Sequence, residues 1–137
     1  MLQQLSFTIP LAVITKKNHT KIIWNKRLNR PMVIQSDAYK AFEKACGEYI
    51  PQINEPFSKP VNIKCHFYMA TRRQIDLTNA LSSVMDILVK YGVIVDDNRD
   101  IAAANDGSRV YYDKYNPRIE ISIELLTEQY DQWKEQK

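Results

Sequence analysis

The chain has 137 residues, of which 45% are hydrophobic and 26% are charged, and it contains only three glycines. A compact domain of this length buries roughly two-thirds of its unfolded surface, enough for one hydrophobic core, and the composition is ordinary for a globular protein. The sequence has no run of about eighteen apolar residues and no signal-peptide pattern in residues 1–10. We therefore expect a cytoplasmic protein with no membrane partner.

The net charge of +3 is unevenly distributed along the chain. Residues 1–44 carry eight lysines and arginines but only two acidic side chains, Asp37 and Glu43. This excess suits a polyanionic partner, although a solvated basic loop gives the same pattern. Charge alone leaves both interpretations open.

The first part of the chain has the pattern of a strand followed by a hairpin. Residues 5–9 alternate between apolar and polar side chains up to Pro10, and a loop rich in lysine and asparagine follows. Residues 21–24 and 32–35 favour strands, and residues 25–31 between them contain turn-forming asparagines and a proline. We therefore predict a hairpin here.

Two helices are predicted from apolar spacings of three and four residues. The first is capped by Ser36 and ends before Pro51, and the second opens at Asp76 and ends at Gly92. The predicted apolar stripe of the first helix is Ala38, Phe42, Ala45, Cys46 and Tyr49, and that of the second is Leu77, Ala80, Leu81, Val84, Ile87, Leu88 and Tyr91.

Further strands are predicted in the second half. Residues 61–69 and 118–126 alternate clearly, residues 93–95 are briefly extended, and the strand-like region through Tyr112 is interrupted at residues 105–107 by a hairpin turn or a bulge. The prediction is a single α+β domain in residues 1–126, in the order β-β-β-α-β-α-β-β, with two main helices on a small mixed or antiparallel sheet. Residues 127–137 are expected to form a polar helix or tail.

The acidic residues around the second helix are the strongest chemical signal. Asp76 would be unremarkable alone, because aspartate is a common helix cap. It is preceded by Arg72 and Arg73, however, and a loop with Asp96 and Asp97 follows the helix. Two carboxylates about 4 Å apart repel by about 4 kcal/mol at an effective dielectric of 20, and a divalent cation compensates that repulsion. Magnesium prefers such hard oxygen ligands and bridges carboxylates to phosphate.

The sequence lacks the residue patterns that other catalytic and metal sites require. His19 and His66 do not have the paired spacing of a zinc site, and Cys46 and Cys65 form no CxxC motif. We expect both thiols to be core residues. No phosphate-binding glycine loop and no nucleophile elbow is present.

The segment from Arg72-Arg73-Gln74-Ile75-Asp76-Leu77-Thr78-Asn79 to Val93-Ile94-Val95-Asp96-Asp97-Asn98 resembles the RusA family of Holliday junction resolvases. The family pattern is a basic stretch, then Asp-Leu-Asp-Asn opening a helix, then Asp-Asp about twenty residues later. The resemblance extends more weakly over most of the chain. It implies a RusA-like fold and a homodimeric, magnesium-dependent endodeoxyribonuclease, with manganese as a substitute metal, that cuts four-way DNA junctions in recombination and repair.

By this resemblance Asp76 matches the first aspartate, Asn79 the asparagine, and Asp96 and Asp97 the later pair, with Asp97 preferred as the metal ligand. The chain departs from the pattern at Thr78, where the family has its second aspartate, and at Ser82, where some members have lysine. Asp100 or Asp86 could supply the third carboxylate, and Asp100 is preferred. The candidate phosphate contacts are Lys16, Lys17, Asn18, Arg72 and Arg73.

Two other functions stay open. A non-catalytic module that binds junction DNA would keep the fold while lacking a ligand at Thr78. A metal-dependent hydrolase of small phosphates would act on nucleotides and would not bind DNA. Trp24 and Tyr68 could stack on an unpaired base, but aromatic residues at such positions more often belong to a core or an interface.

Overall fold

The structure is a computed structural model that describes residues 2–16 and 20–126. It is an α+β domain, as the sequence predicts. Its elements are strands β1 (Gln4–Ile9), β2 (Thr20–Asn25) and β3 (Arg30–Gln35), helix α1 (Asp37–Cys46), strand β4 (Val61–Met69), helix α2 (Leu77–Lys90), and strands β5 (Ala102–Ala104), β6 (Arg109–Tyr112) and β7 (Arg118–Leu125). The predicted tail at residues 127–137 lies outside the described residues. Neither described helix is long and apolar enough to cross a membrane.

The main sheet is mixed and has the order β1-β7-β4, with both β5 and β6 on the far edge of β4. Strand β7 pairs antiparallel with β1 and β4, whereas β5 and β6 run parallel to β4. Because β5 and β6 run in the same direction, residues 105–107 are not a hairpin turn. They lie in a turn in which the Ser108 N–H donates to Asn105 O at 3.2 Å, and the irregular register of this edge lies beside Val61 and Asn62 instead.

The register of the sheet gathers its apolar side chains on one face. Ile119 lies opposite both Ile9 and Phe67, and Ile121 lies opposite both Phe7 and Cys65. These residues join α1 and α2 in one hydrophobic core. The alternate positions form a polar row on the other face, which includes Ser6, Lys64, His66, Glu120 and Ser122.

The buried stripe of α1 differs from the prediction. Ser36 caps the helix as expected, since its Oγ accepts the Tyr39 N–H at 3.2 Å. The buried residues are Tyr39, Phe42 and Cys46, whereas Ala38 is exposed. The helix rotates toward Tyr39 because that ring buries far more apolar area than the methyl group of alanine. The regular helix also ends at Cys46 rather than near Pro51, and a short 3-10 turn, Gly47–Tyr49, follows with Tyr49 exposed.

Helix α2 ends as predicted, with Gly92 in the left-handed region at φ 75°. The Gly92 N–H donates to Val89 O at 3.2 Å and the Val93 N–H to Leu88 O at 2.9 Å, which is the Schellman arrangement. The chain then reverses, and Val93 and Val95 form hydrogen bonds with the backbone of Phe57. Residues 93–95 therefore contribute one parallel bridge, between Phe57 and Ile94, rather than a strand.

Both cysteines are core residues, as predicted. Cys46 and Cys65 have no solvent-exposed area. Burial raises the pKa of each thiol to about 12. They act as small apolar side chains rather than nucleophiles.

Candidate active site

Asp76 is the N-cap of α2 and directly precedes its first turn. Its Oδ1 accepts the backbone N–H of Thr78 at 2.8 Å and that of Asn79 at 3.4 Å. Both hydrogen bonds end on the same oxygen, so the cap does not use Oδ2. Because Asp76 is exposed, the helix fixes its carboxylate while solvent still reaches it. The capping role predicted from sequence is confirmed.

The two departures from the family pattern lie on the surface of the same helix. Thr78 is in the first turn and Ser82 is four residues later, and both are exposed. Residues four apart are neighbours on a helix face. Asn79, one residue after Thr78, is partly buried. The first turn of α2 therefore presents one carboxylate, from Asp76, and neutral groups at the other matched positions.

The acidic loop, residues 96–100, is held together by its own side chains. The carboxylate of Asp96 accepts the Asp97 backbone N–H at 2.7 Å and the Asn98 side-chain amide at 3.2 Å. Asn98 Oδ1 in turn accepts the Asp100 N–H at 2.9 Å. These bonds use the carboxylate of Asp96 but not those of Asp97 and Asp100, and the whole loop is exposed. The choice of Asp97 over Asp96 as a ligand stays a prediction.

Backbone hydrogen bonds fix both ends of the acidic loop beside the start of β4. The Val95 N–H donates to Phe57 O at 3.1 Å, and the Val61 N–H donates to Ile101 O at 2.8 Å. The loop therefore has anchored ends and an exposed acidic centre.

The donor chemistry fits a hard divalent cation, because exposed carboxylates occur both at the α2 cap and in the acidic loop. Within residues 2–16 and 20–126, no three His, Cys, Asp or Glu side chains are grouped so that they could hold a metal ion. The convergence of Asp76, Asp97 and Asp100 on one cation stays a prediction.

Asp86, the other candidate for the third carboxylate, has a cationic partner. Lys16 Nζ lies 3.0 Å from Asp86 Oδ2, and the Lys16 backbone N–H donates to Ser83 Oγ at 3.0 Å. A carboxylate already paired with an ammonium group is a weaker candidate for a metal. The contact holds Lys16 against α2, and the choice of Asp100 as the third ligand stays a prediction.

The predicted phosphate contacts lie in two places. Arg72 and Arg73 are exposed in the segment between β4 and α2, and the Arg72 guanidinium lies 4.2 Å from the centre of the Tyr112 ring. Lys16 is partly exposed, with 45% of its side chain accessible. Lys17 and Asn18 lie outside the described residues. The roles of all five in binding DNA stay predictions.

A stacked group on the polar face of the sheet was not predicted from sequence. The guanidinium of Arg118 lies 3.7 Å from the centre of the Tyr68 ring, and Tyr68 stacks on Tyr111 at 5.0 Å with planes 19° apart. Arg118 also pairs with Asp113 and Glu120. Desolvation, followed by the charge of Glu120, raises the pKa of Tyr68. Tyr68 thus stacks on residues of its own chain, on strands distant in sequence.

The chain is thus an α+β domain with exposed carboxylates at a helix cap and in a loop, and with exposed arginines just before that cap in the sequence. A family model described as endodeoxyribonuclease RusA matches residues 10–124 of this chain. The matched region includes the α2 cap, the acidic loop and most of the sheet, and the chain belongs to the endodeoxyribonuclease RusA family. No match is found among curated proteins.

Proposed function

We propose that this protein is a magnesium-dependent, structure-specific endonuclease that resolves four-way DNA junctions in recombination and repair in the cytoplasm. One observation carries the proposal: the region matched by the endodeoxyribonuclease family contains both Asp76, fixed at the α2 cap, and the exposed acidic loop. The family membership supports nuclease activity. The metal and the junction preference are the parts to be tested.

The proposed site assigns each carboxylate a role. Asp76 and Asp97 would hold Mg²⁺, or Mn²⁺ in its place, and Asp100 would join them. Such a cation would activate a water and neutralise charge on the phosphate. Asp96 positions Asp97, because its carboxylate accepts the Asp97 backbone N–H. Asn79 completes the first turn of α2 beside Asp76.

Cationic and amide groups would hold the DNA backbone. Arg72 and Arg73 lie just before Asp76 in the chain, so phosphates bound by them would lie near the α2 cap. Lys16, Lys17 and Asn18 would contact a further part of the backbone. Contacts to phosphates position the DNA without reading its sequence. We further propose a homodimer, because a two-fold enzyme presents two equivalent sites to a junction of near two-fold symmetry.

The test is cleavage of a labelled four-way junction and of a linear duplex with the same arm sequences. With Mg²⁺, the wild-type protein should nick the junction at symmetric sites and leave the duplex intact. Asp97→Asn should abolish cutting and retain binding, while Asp106→Asn, in an exposed turn, serves as the matched control. Equal cutting by the wild type and Asp97→Asn would refute the assignment.

A second candidate, a non-catalytic module that binds junctions, is favoured by one feature. Thr78 gives the first turn of α2 a hydroxyl where the family has a carboxylate. This candidate predicts specific gel shifts on junction DNA with no cleavage in Mg²⁺ or Mn²⁺.

A further inference from the structure

The β2–β3 hairpin has an apolar face that the described part of the chain leaves uncovered. Within residues 2–16 and 20–126 the two strands pair only with each other, as a separate two-stranded sheet. Their register sets Ile22 opposite Val33 and Trp24 opposite Pro31, so these four side chains share one face. Ile22 is 74% exposed, Val33 67% and Trp24 58%.

The opposite face of the hairpin is less exposed. Ile23, at 39%, is the most exposed of its apolar residues, and Met32 and Ile34 are partly buried. Lys21 on this face pairs with Asp37 at the start of α1, with 3.0 Å between Nζ and Oδ1. The less exposed face of the hairpin thus carries its ion pair to α1, and the other face exposes the larger apolar area. A contiguous exposed apolar patch of this kind commonly marks a binding surface.

The charge of the hairpin indicates which partner covers that face. Residues 20–35 contain four basic side chains and no acidic one. Three of the four, Lys26, Arg27 and Arg30, are exposed around the turn. Two copies of this hairpin packed face to face would bring like charges together, whereas a polyanion would neutralise them. An aromatic side chain among cations is the combination that binds the bases and backbone of nucleic acids.

We propose that the β2–β3 hairpin is a stacking wedge for the branch point of DNA. The face of Trp24 and Ile22 packs on base pairs whose stacking is interrupted at the branch, and Lys26 and Arg27 bind the adjoining phosphates. A continuous duplex exposes base faces only at its ends, so the wedge gives a preference for branched over linear DNA. The inference deepens the proposed function and rests on it for the identity of the DNA.

The test compares binding of the full-length protein to a labelled four-way junction and to a linear duplex, without divalent metal. Trp24→Ala should weaken junction binding on the order of tenfold and change duplex binding by less than about twofold. Arg27→Gln should weaken binding to both DNAs and reduce its salt dependence. Tyr115→Ala is the matched control, because Tyr115 is 88% exposed on a different loop, and it should leave both affinities unchanged.

A probe at the branch supplies a direct signal. 2-Aminopurine placed at the branch point should change its fluorescence on binding wild-type protein, and this change should be lost with Trp24→Ala and reduced with Ile22→Ser. Thermal unfolding of each variant should match the wild type. Ile22→Ser is the second test if Trp24→Ala is poorly folded.

The outcomes distinguish the proposed role of the hairpin from the proposed nuclease activity. An unchanged ratio of junction to duplex affinity in both Trp24→Ala and Ile22→Ser overturns the wedge, even if the protein cuts junctions. Dissociation of a wild-type dimer into monomers by Trp24→Ala, seen in sedimentation, also overturns it, because a second copy would then cover this face. Junction binding that depends on Trp24, without cleavage in Mg²⁺, supports the wedge and refutes the nuclease.

Discussion

The Oδ1 atom of Asp76 accepts the backbone N–H of Thr78 at 2.8 Å, so the proposed metal ligand is also the cap of α2. The two roles can be separated, because asparagine caps a helix as well as aspartate but binds a cation far less strongly. Asp76→Asn should lower junction cleavage by about 100-fold or more while leaving the melting temperature nearly unchanged.

Asp76→Ala is the control for this separation. It removes the cap as well, at a cost of about 1 kcal/mol, which corresponds to a melting temperature lower by roughly 3 °C in a domain of this size. Cleavage assays and thermal unfolding on both variants make the comparison. Full cleavage by Asp76→Asn would mean that Asp76 is only a cap.

Thr78 offers a test by gain of function. Thr78→Asp restores the carboxylate of the family pattern, at an exposed position in the first turn of α2. A negative charge there also opposes the helix dipole, so stability should rise by a few tenths of a kcal/mol rather than fall. Cleavage should become faster and should reach half its maximum at a lower Mg²⁺ concentration. Thr71→Asp, also exposed, adds the same charge before the helix and should give no such shift.

The two candidates for the third metal ligand, Asp100 and Asp86, can be distinguished by mutation. Asp86 pairs with Lys16, whereas Asp100 lies in the exposed acidic loop. Asp100→Asn should therefore raise the Mg²⁺ concentration needed for cleavage, and Asp86→Asn should leave it unchanged. The partly exposed Lys16–Asp86 pair contributes less than about 1 kcal/mol, so both variants should fold. The reverse pattern in the magnesium titrations would assign the role to Asp86.

Gly92 should be sensitive to substitution for a conformational reason alone. A Cβ atom at this position would meet no atom within 4 Å, but the backbone has φ 75°. Gly92→Ala should then lower the free energy of unfolding by about 1–2 kcal/mol, measured in urea, and Gly92→Asn by less. Equal stability of Gly92→Ala and the wild type would show that the helix end relaxes to another conformation.

The two cysteines should be unreactive in the folded protein. Burial removes both side chains from solvent and raises the pKa of each to about 12, so almost no thiolate exists at pH 8. A thiol reagent such as DTNB should label neither residue at pH 8 in the native state and both in guanidinium chloride. Fast labelling of native protein would indicate local opening of α1 or β4.

The sequence predicts the elements that depend on local signals. The cap at Asp76, the end of α2 at Gly92 and the alternation of β7 each follow from the chemistry of a few neighbouring residues, and all are confirmed. The choice of Tyr39 over Ala38 as a buried residue was missed because both fit a helical spacing, and side-chain size decides between them.

Relationships between distant segments could not be predicted in the same way. The stack of Arg118, Tyr68 and Tyr111 depends on the register of β4 with two other strands, which no local pattern specifies. The parallel direction of β5 and β6 likewise depends on their common partner β4. The same holds for the candidate site. Local sequence signals predict the α2 cap and the acidic loop, but they do not predict whether the two converge in space.

The turn between β5 and β6 is held against β4 by side-chain hydrogen bonds in place of ladder hydrogen bonds. Asn62 bonds through its side chain with the backbone of Asp106, Asn105 donates to Ile63 O at 2.9 Å, and Ser108 Oγ accepts the Cys65 N–H at 3.0 Å. Gly107 has φ 86°, which suits this turn. The segment is therefore built as a fixed spacer between the two strands.

The length of this spacer decides which face of the sheet each side chain of β6 occupies. Asn62 pairs with Ala104 and His66 with Arg109. The chain therefore advances five residues from Ala104 to Arg109 while β4 advances four from Asn62 to His66. Side chains alternate along a strand, so deleting a single residue from this segment would exchange the two faces of β6. Val110 would leave the core, and Tyr111 would lose its place on Tyr68. Loop exchanges among relatives of this chain must therefore preserve the odd or even length of this segment, whatever its sequence.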